Sequence, residues 1–344
     1  MPTSVITGVT GQDGTYLAQQ LLERGNKVYG AFRRTSSVNF WRLDELGILQ
    51  HPAFHLVEFD LLDAGACLRL LDKAAPDYVY NLAAQSFVGV SFEQPIATAH
   101  MTGIGPLHLL ETIRHVNKNI KFYQASTSEL YGRAHAVPQD EDTPFHPRSP
   151  YAVAKLFGHW ITVNYREAYG MFASSGILFN HESPLRGREF VTRKITDAVA
   201  RIHLGKQDWL EIGNLEARRD WGFAKEYTDG MILIMEHRKP ETFVLATGKN
   251  ASVREFASMA FAAVGVDIGW RGRGLDEVGF CKKTGKTRVK VNPALFRPAE
   301  VDELIGNPAR AQKLLGWNAQ TPLDELCRLM VEADIRRNEI GFSF

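Results

Sequence analysis

The chain has 344 residues, a formal charge of +1 and 44% hydrophobic residues. That is the make-up of an ordinary globular protein with one large domain or two closely joined ones. A charge so near zero gives no field to gather nucleic acid or an anionic membrane surface, and no apolar run approaches the ~20 residues that span a bilayer. Cys67, Cys281 and Cys327 lie too far apart to suggest a metal cluster, so no metal is expected, and they read as free thiols of a reducing compartment. No charged leader with an apolar core precedes the first strand, so a cytoplasmic location is expected.

Residues 4–7 read as a short strand, and Gly8, Gly11 and Gly14 follow it, with Gln12 and Asp13 between the last two. Tyr16, Leu17, Leu21 and Leu22 then recur at helical spacing. Strand, glycine turn and helix is the order a diphosphate needs. The glycines permit the bend and the close approach, and the helix start supplies N–H donors and a positive dipole end. The pattern predicts dinucleotide binding. The second strand, Lys27–Phe32, ends on Arg33 and Arg34. An NAD site places a carboxylate there for the ribose 2′-hydroxyl, whereas arginine suits a 2′-phosphate, so NADP is expected. The polar loop 34–39 is long enough to reach a phosphate or another subunit. A third strand, Phe54–Glu58, leads to Asp60 and Leu61, a usual place for adenine contacts. A fourth, 77–82, closes on Leu82 and runs into Ala83, Ala84, Gln85 and Ser86, small enough for a cofactor to lie across the strand ends. A helix follows at 104–115. Strand, helix, strand at these intervals means βαβ units and a right-handed parallel sheet.

The apolar run 121–125 predicts a buried strand with Ser126, Thr127, Ser128 and Glu129 at its carboxyl end, the edge where such sheets bind ligands. After a proline-punctuated loop, Tyr151 and Lys155 open the helix 151–169 and share one face. A free phenol has a pKa of roughly 10, and a neighbouring cation lowers it. Lys155 is expected to supply that charge. Tyr151 can then take a proton from a sugar hydroxyl, and Glu129 offers a second proton-transfer group that alcohol oxidation alone does not need. A lone Tyr-x-x-x-Lys is usually surface decoration; the strand end and the glycine turn give this one its weight. A strand at 174–179 runs into Asn180 and His181. A helix at 190–204 carries Arg193, Lys194 and Arg201, and Arg218 and Arg219 follow. These cations suggest a phosphorylated small molecule. A strand near 243–246 precedes a helix at 253–264 with Ser252 as its cap. The sequence of residues 265–290, rich in glycine and charge, leaves both an ordered and a flexible segment open.

The Gly-x-x-Gly-x-x-Gly and Tyr-x-x-x-Lys patterns are those of the short-chain dehydrogenase/reductase superfamily. The runs 122–132, 176–184 (closing on Phe-Asn-His-Glu-Ser-Pro), 190–194, 218–221 and 297–302 are more specific. Together they resemble the GDP-mannose 4,6-dehydratase family of the extended group over nearly the whole chain. The resemblance implies a Rossmann-type, doubly wound α/β sheet with a smaller, mostly C-terminal α/β substrate domain. It places the cofactor half at 1–180, with returning segments near 220–250, and the interleaved substrate half at 181–344. It implies Thr127, Glu129 and Tyr151 as the catalytic set, with Lys155 as partner. NADP would lie on Gly8 and the turn through Gln12, Asp13 and Gly14, on Arg33, Asp60, Leu61, 82–86, Lys155, His181 and Arg186, with Arg34 serving a neighbouring subunit. GDP-mannose would lie near Ser86, Asn180, Val191, Lys194, Arg218, Arg297 and Glu300. A homotetramer, built as a dimer of dimers, is implied as well. Ala97 stands where the family often has a tyrosine, and His100, Met101 and Thr102 replace a more acidic stretch; neither touches the chemistry.

Overall fold

Neighbouring residues on the strands point to opposite faces of one parallel sheet, and each face has its own core. The computed structural model describes residues 1–37, 39–296 and 303–341. The sheet contains β1 (Thr3–Thr7), β2 (Lys27–Phe32), β3 (Phe54–Glu58), β4 (Tyr78–Asn81), β5 (Lys121–Thr127), β6 (Ala173–Leu178) and β7 (Thr242–Leu245). Their order is β7-β6-β5-β4-β1-β2-β3, parallel throughout. Val5, Val79 and Phe122 enter one core with Leu109, Leu110 and Ile113. Ile6, Tyr80 and Tyr123 enter the other, with Leu17 and Leu21 from α1 (Gln12–Glu23). The doubly wound sheet is therefore covered on both faces. Its order reverses between β1 and β4, where such sheets open a crevice at the strand carboxyl ends.

Five helices matter for that crevice: α1, then α2 (Trp41–Glu45), α3 (Pro150–Tyr169), α4 (Val191–His203) and α5 (Leu323–Glu339). Pro150 is the first residue of α3, and the Ser149 hydroxyl accepts the Ala152 N–H at 3.1 Å. This cap fixes where the helix begins, and so the height of Tyr151 above the sheet. A third core joins Ile195 and Val199 of α4, Phe256, Phe261, and Leu326 and Met330 of α5.

The stretch 265–290, whose order the sequence left open, forms strands. Ile268–Arg271 pairs with Val278–Cys281, and that with Thr287–Val291, both antiparallel; Leu210–Ile212 joins in parallel. Ile268 and Val289 are buried in the third core, and Cys281 is buried as well. Gly272, Gly274 and Gly285 take positive φ between the strands, while Gly269 and Gly279 lie buried within them.

Candidate active site

Backbone meets backbone at the glycine turn. Gly8 has φ +72°, and a Cβ there would lie 3.0 Å from Ala83 backbone. A Cβ on Gly14 would lie 2.4 Å from Gly8 O, so only glycine closes this packing. Gly11 caps α1 without a side-chain bond, leaving N–H groups of its first turn toward the crevice, a cradle suited to a diphosphate. The Thr7 hydroxyl donates to Asn81 Oδ1 at 2.7 Å and accepts from Leu82 N and Ala83 N, both at 3.2 Å. Thus the 82–86 segment is held against the turn.

A cavity of about 370 Å³ fills the crevice. Gly8, Gly11, Gln12, Asp13 and Gly14 line one side, with Leu82, Ala84 and Ser86 beside them. Thr127, Glu129, Tyr151 and Lys155 line another, and Asn180, His181 and Arg186 complete it. β5 runs two residues further than expected, so Thr127 is its last residue, and its hydroxyl accepts Glu129 N at 3.3 Å. Tyr151 and Lys155 are both buried. Lys155 Nζ donates to Ala125 O at 2.8 Å and stands 5.9 Å from the Tyr151 ring centroid. One residue on, Ser126 Oγ bonds His159 Nδ1 at 2.8 Å. These two contacts dock α3 on the strand end.

The electrostatics of the phenol differ from the expectation. Burial pushes the Tyr151 phenol well above its ordinary range, the Thr127 hydroxyl bond pulls it down, and the Glu129 charge pushes it further up. The groups of the chain thus keep Tyr151 neutral. Lys155 donates to Ala125 O, and burial brings its own pKa down to about 8, which leaves it mostly cationic at neutral pH. The bond fixes that charge beside the Tyr151 ring.

The run 180–186 is accounted for almost residue by residue. His181 Nε2 meets Asp13 Oδ2 at 2.8 Å and Nδ1 meets Phe179 O at 2.6 Å. Both partners are acceptors, so the ring carries both protons. Buried Glu182 accepts from Thr192 Oγ1 at 2.5 Å and lies 3.0 Å from Arg186 Nε. Ser183 Oγ donates to Gln12 Oε1 at 2.7 Å. Burial alone would push Asp13 up, but the charge and hydrogen bond of His181 bring it below its ordinary 3.8. Burial alone would push His181 down, but Asp13 raises it above 6.5. The carboxylate's contribution is present above its unfolded pKa and lost as pH falls through its lowered folded value. The imidazolium's contribution is present below its unfolded pKa and lost as pH rises through its raised folded value. The pair therefore stabilises fully between about pH 3.8 and 6.5. His181→Gln is expected to flatten the decline of the thermal midpoint above that window. An unchanged decline would remove the pair as its cause.

Other expected residues lie elsewhere. Arg33 and Arg34 are exposed beside the crevice, with Arg34 3.5 Å from Glu58. Leu61 is a core residue, and its carbonyl is taken by His108 Nδ1 at 3.0 Å. Asp60 Oδ1 accepts Leu62 N. Ala83 is tied to Thr7, and Gln85 bonds Phe87 O. None of these six lines the cavity. Lys194 lines a second cavity of about 720 Å³ with Arg188, Arg201 and Trp209, and Glu189 borders both. Val191 begins α4, and Arg218 faces Glu255 and Asn250. Arg297 and Glu300 lie outside the described residues. Sequence reasoning missed Asn39, Arg42, Glu189 and Phe190, which also line the first cavity. Only the nearness of Arg42 to the 34–39 loop hinted at it. Among the described residues no His, Cys, Asp and Glu gather as metal ligands, and no helix is long and apolar enough to cross a membrane.

The GDP-mannose 4,6 dehydratase family model matches residues 5–330. A relative from Caenorhabditis elegans, GDP-mannose 4,6 dehydratase 2, is 52% identical over 339 residues, covering 96% of this chain and 88% of the relative. The GDP-mannose 4,6-dehydratase of Sinorhizobium fredii is 52% identical over 337 residues, with 96% of both chains covered. That of Homo sapiens is 48% identical over 340 residues, covering 96% and 91%. Among solved structures, dTDP-glucose 4,6-dehydratase from Bacillus anthracis superposes with a TM-score of 0.82 at 18% identity, covering 99% of each chain. A UDP-glucose 4-epimerase from Thermotoga maritima gives 0.81 at 24% identity, covering 98% of this chain and 99% of that one. These two likenesses establish the fold alone.

Proposed function

The chain belongs to the GDP-mannose 4,6-dehydratase family, and from that membership we propose that it is a hydro-lyase converting GDP-mannose to GDP-4-dehydro-6-deoxy-D-mannose and water, with NADP as its resident cofactor. The observation that carries this reading is one cavity wall holding two separate proton-transfer groups, the Tyr151 phenol and the Glu129 carboxylate, opposite a glycine cradle. When bound, the nicotinamide supplies the reversible hydride chemistry that oxidises C4 and later reduces C6. The chain's own residues do the rest. Tyr151 accepts the C4 hydroxyl proton as the phenolate, which the Thr127 bond, the Lys155 ammonium and the positive charge of a bound nicotinamide would favour. The 4-ketone acidifies the C5 proton, and Glu129 removes it. Glu129, now protonated, returns that proton to the C6 hydroxyl, which leaves as water, and the proton that Tyr151 took balances the one C5 regains as C6 is reduced, so both groups end as they began. Gly8 and the start of α1 would hold the diphosphate of the cofactor, and Arg33 a 2′-phosphate. The cofactor half is assigned to 1–180 with 220–250, and the nucleotide-sugar half to the remainder.

Incubation with GDP-mannose, UDP-glucose and dTDP-glucose, each with NADP+ or NAD+, tests the reading by NMR of the product. Turnover of GDP-mannose with NADP+ is expected. Turnover of another nucleotide sugar in its place would overturn the substrate, and equal use of NAD+ would overturn the role of Arg33.

A second copy of the chain is the partner we assign to α3. Val153, Phe157 and Trp160 recur on one face of it and are 56%, 42% and 54% exposed. The helix over 105–116 has little to add, because Leu109, Leu110 and Ile113 are buried in its own core. Pairing of α3 across a two-fold axis, with loop 34–39 reaching a neighbour, gives a tetramer. Light scattering is expected to show an oligomer that Trp160→Glu dissociates; a fully active monomer would overturn it.

A further inference from the structure

Three successive carbonyls of the loop that carries Arg186 are each taken by an arginine from a different helix. Arg337 on α5 donates Nη1 to Pro184 O at 2.7 Å, Arg42 on α2 donates Nε to Leu185 O at 2.6 Å, and Arg193 on α4 donates Nη1 to Arg186 O at 2.7 Å. All three guanidinium groups surround one indole. They stand 5.0 Å, 4.5 Å and 6.0 Å from the Trp41 ring centroid. Arg42 reaches further, donating Nη1 to Thr10 O at 3.2 Å in the glycine turn.

Arg193 is fully buried and Arg337 nearly so. Buried cations of like sign are costly, and apolar residues of similar volume would often serve packing as well. Anions offset part of the cost: Asp334 lies 2.7 Å from Arg193 Nε and 3.4 Å from Arg337 Nη1, and Glu45 accepts from Arg337 Nη2 at 2.6 Å. What the arrangement gains is direction. A guanidinium fork fixes a carbonyl's position and orientation where an apolar contact fixes neither. The fixed loop sets the backbone of Arg186, whose side chain lies on Phe190 at 3.6 Å, reaches Glu182 and borders the cavity.

We propose that Arg42, Arg193 and Arg337, gathered on Trp41, are positioning residues that clamp 184–186 and so hold Arg186 ready for the anionic ligand of the cavity. The proposal rests on the reading that this ligand is a nicotinamide dinucleotide. A purely structural role would lower stability without depending on Arg186. A clamp must act through it.

The test is a double-mutant cycle on NADP+ affinity, measured by calorimetry, with thermal midpoints recorded alongside. Arg337→Met is chosen because Arg337 does not line the cavity. It is expected to weaken NADP+ binding on the order of tenfold in the unmutated background and less than about twofold in Arg186→Ala. Equal losses in the two backgrounds, or unchanged affinity in a folded Arg337→Met, would overturn the clamp. Arg337→Lys keeps a cation beside Asp334 and guards against loss of the fold. An ammonium lacks the planar fork that meets Pro184 O from Nη1 and Glu45 from Nη2, so a smaller loss with the same dependence on Arg186 is expected, and an additive loss again overturns the proposal. An unmutated protein that binds neither NADP+ nor NAD+ would overturn the dinucleotide reading and the clamp with it. Intact binding in every Arg337 variant removes the clamp alone.

Discussion

Replacing Tyr151 by phenylalanine is expected to lower turnover of GDP-mannose by about 10²–10⁴-fold, the usual worth of a positioned general base, while NADP+ affinity stays within a few-fold. The ring is buried in the cavity wall and the substitution preserves it. Only the hydroxyl goes, and with it the bond to Thr127. Thr127 still caps Glu129 N through the same oxygen, so the strand end keeps its shape. The pH dependence sharpens the expectation. Burial pushes the phenol up and the Thr127 bond pulls it down. Thr127→Val removes the pull, so the rising limb of the rate should move to higher pH, whereas Tyr151→Phe should abolish that limb. Binding calorimetry and pH–rate profiles on the two variants decide it. Activity of Tyr151→Phe within a few-fold of the unmutated protein would send the search for the base elsewhere.

Much of this site is legible in the sequence because its parts are local. Gly8, Gly11 and Gly14 are needed by a turn that packs backbone on backbone, and four residues along α3 put Tyr151 and Lys155 on one face. Alternation and apolar runs give the strands, and the carboxyl ends of three of them give the crevice. What stays hidden is contact across the chain. Arg42 meets Leu185 O, 143 residues away, and Arg337 meets Pro184 O, 153 residues away. A carbonyl is offered by every residue, so no sequence pattern marks which one an arginine will find. The same holds for Lys155. Its charge is visible in the sequence, but its docking on Ala125 O is not. Leu61 fails as a cavity residue for a related reason. A strand end points some side chains at ligand and others into the core, and here Leu61 packs over Gly105. In 265–290 composition leaves order open, because one inward hydrophobic residue on each of three strands, Ile268, Cys281 and Val289, is too sparse a signal to read among so many glycines and charges.

Glu129→Gln should separate the two halves of the reaction. The amide is close to the carboxylate in size, so the 3₁₀ turn Ser128–Leu130 and its Thr127 cap should persist. It cannot take the C5 proton, so dehydration is expected to fall by about 10²–10⁴-fold. On the proposed mechanism, oxidation at C4 needs Tyr151 and not Glu129. The variant, loaded with NADP+ and mixed with GDP-mannose, should therefore build up reduced-nicotinamide absorbance that the unmutated protein does not hold. The electrostatics add a direction that a simple loss of a base would not. The Glu129 charge is among the groups that raise the Tyr151 phenol. Neutralising it should let the phenol ionise more readily, so the onset of C4 oxidation should move to lower pH in Glu129→Gln than in the single-turnover reaction of the unmutated protein. Rapid-mixing absorbance across a pH series, with the sugar products read by NMR, measures both effects. Dehydration near the unmutated rate would take the C5 proton away from Glu129. Normal loss of dehydration with an onset moved to higher pH would leave Glu129 as the base and refute its electrostatic coupling to Tyr151.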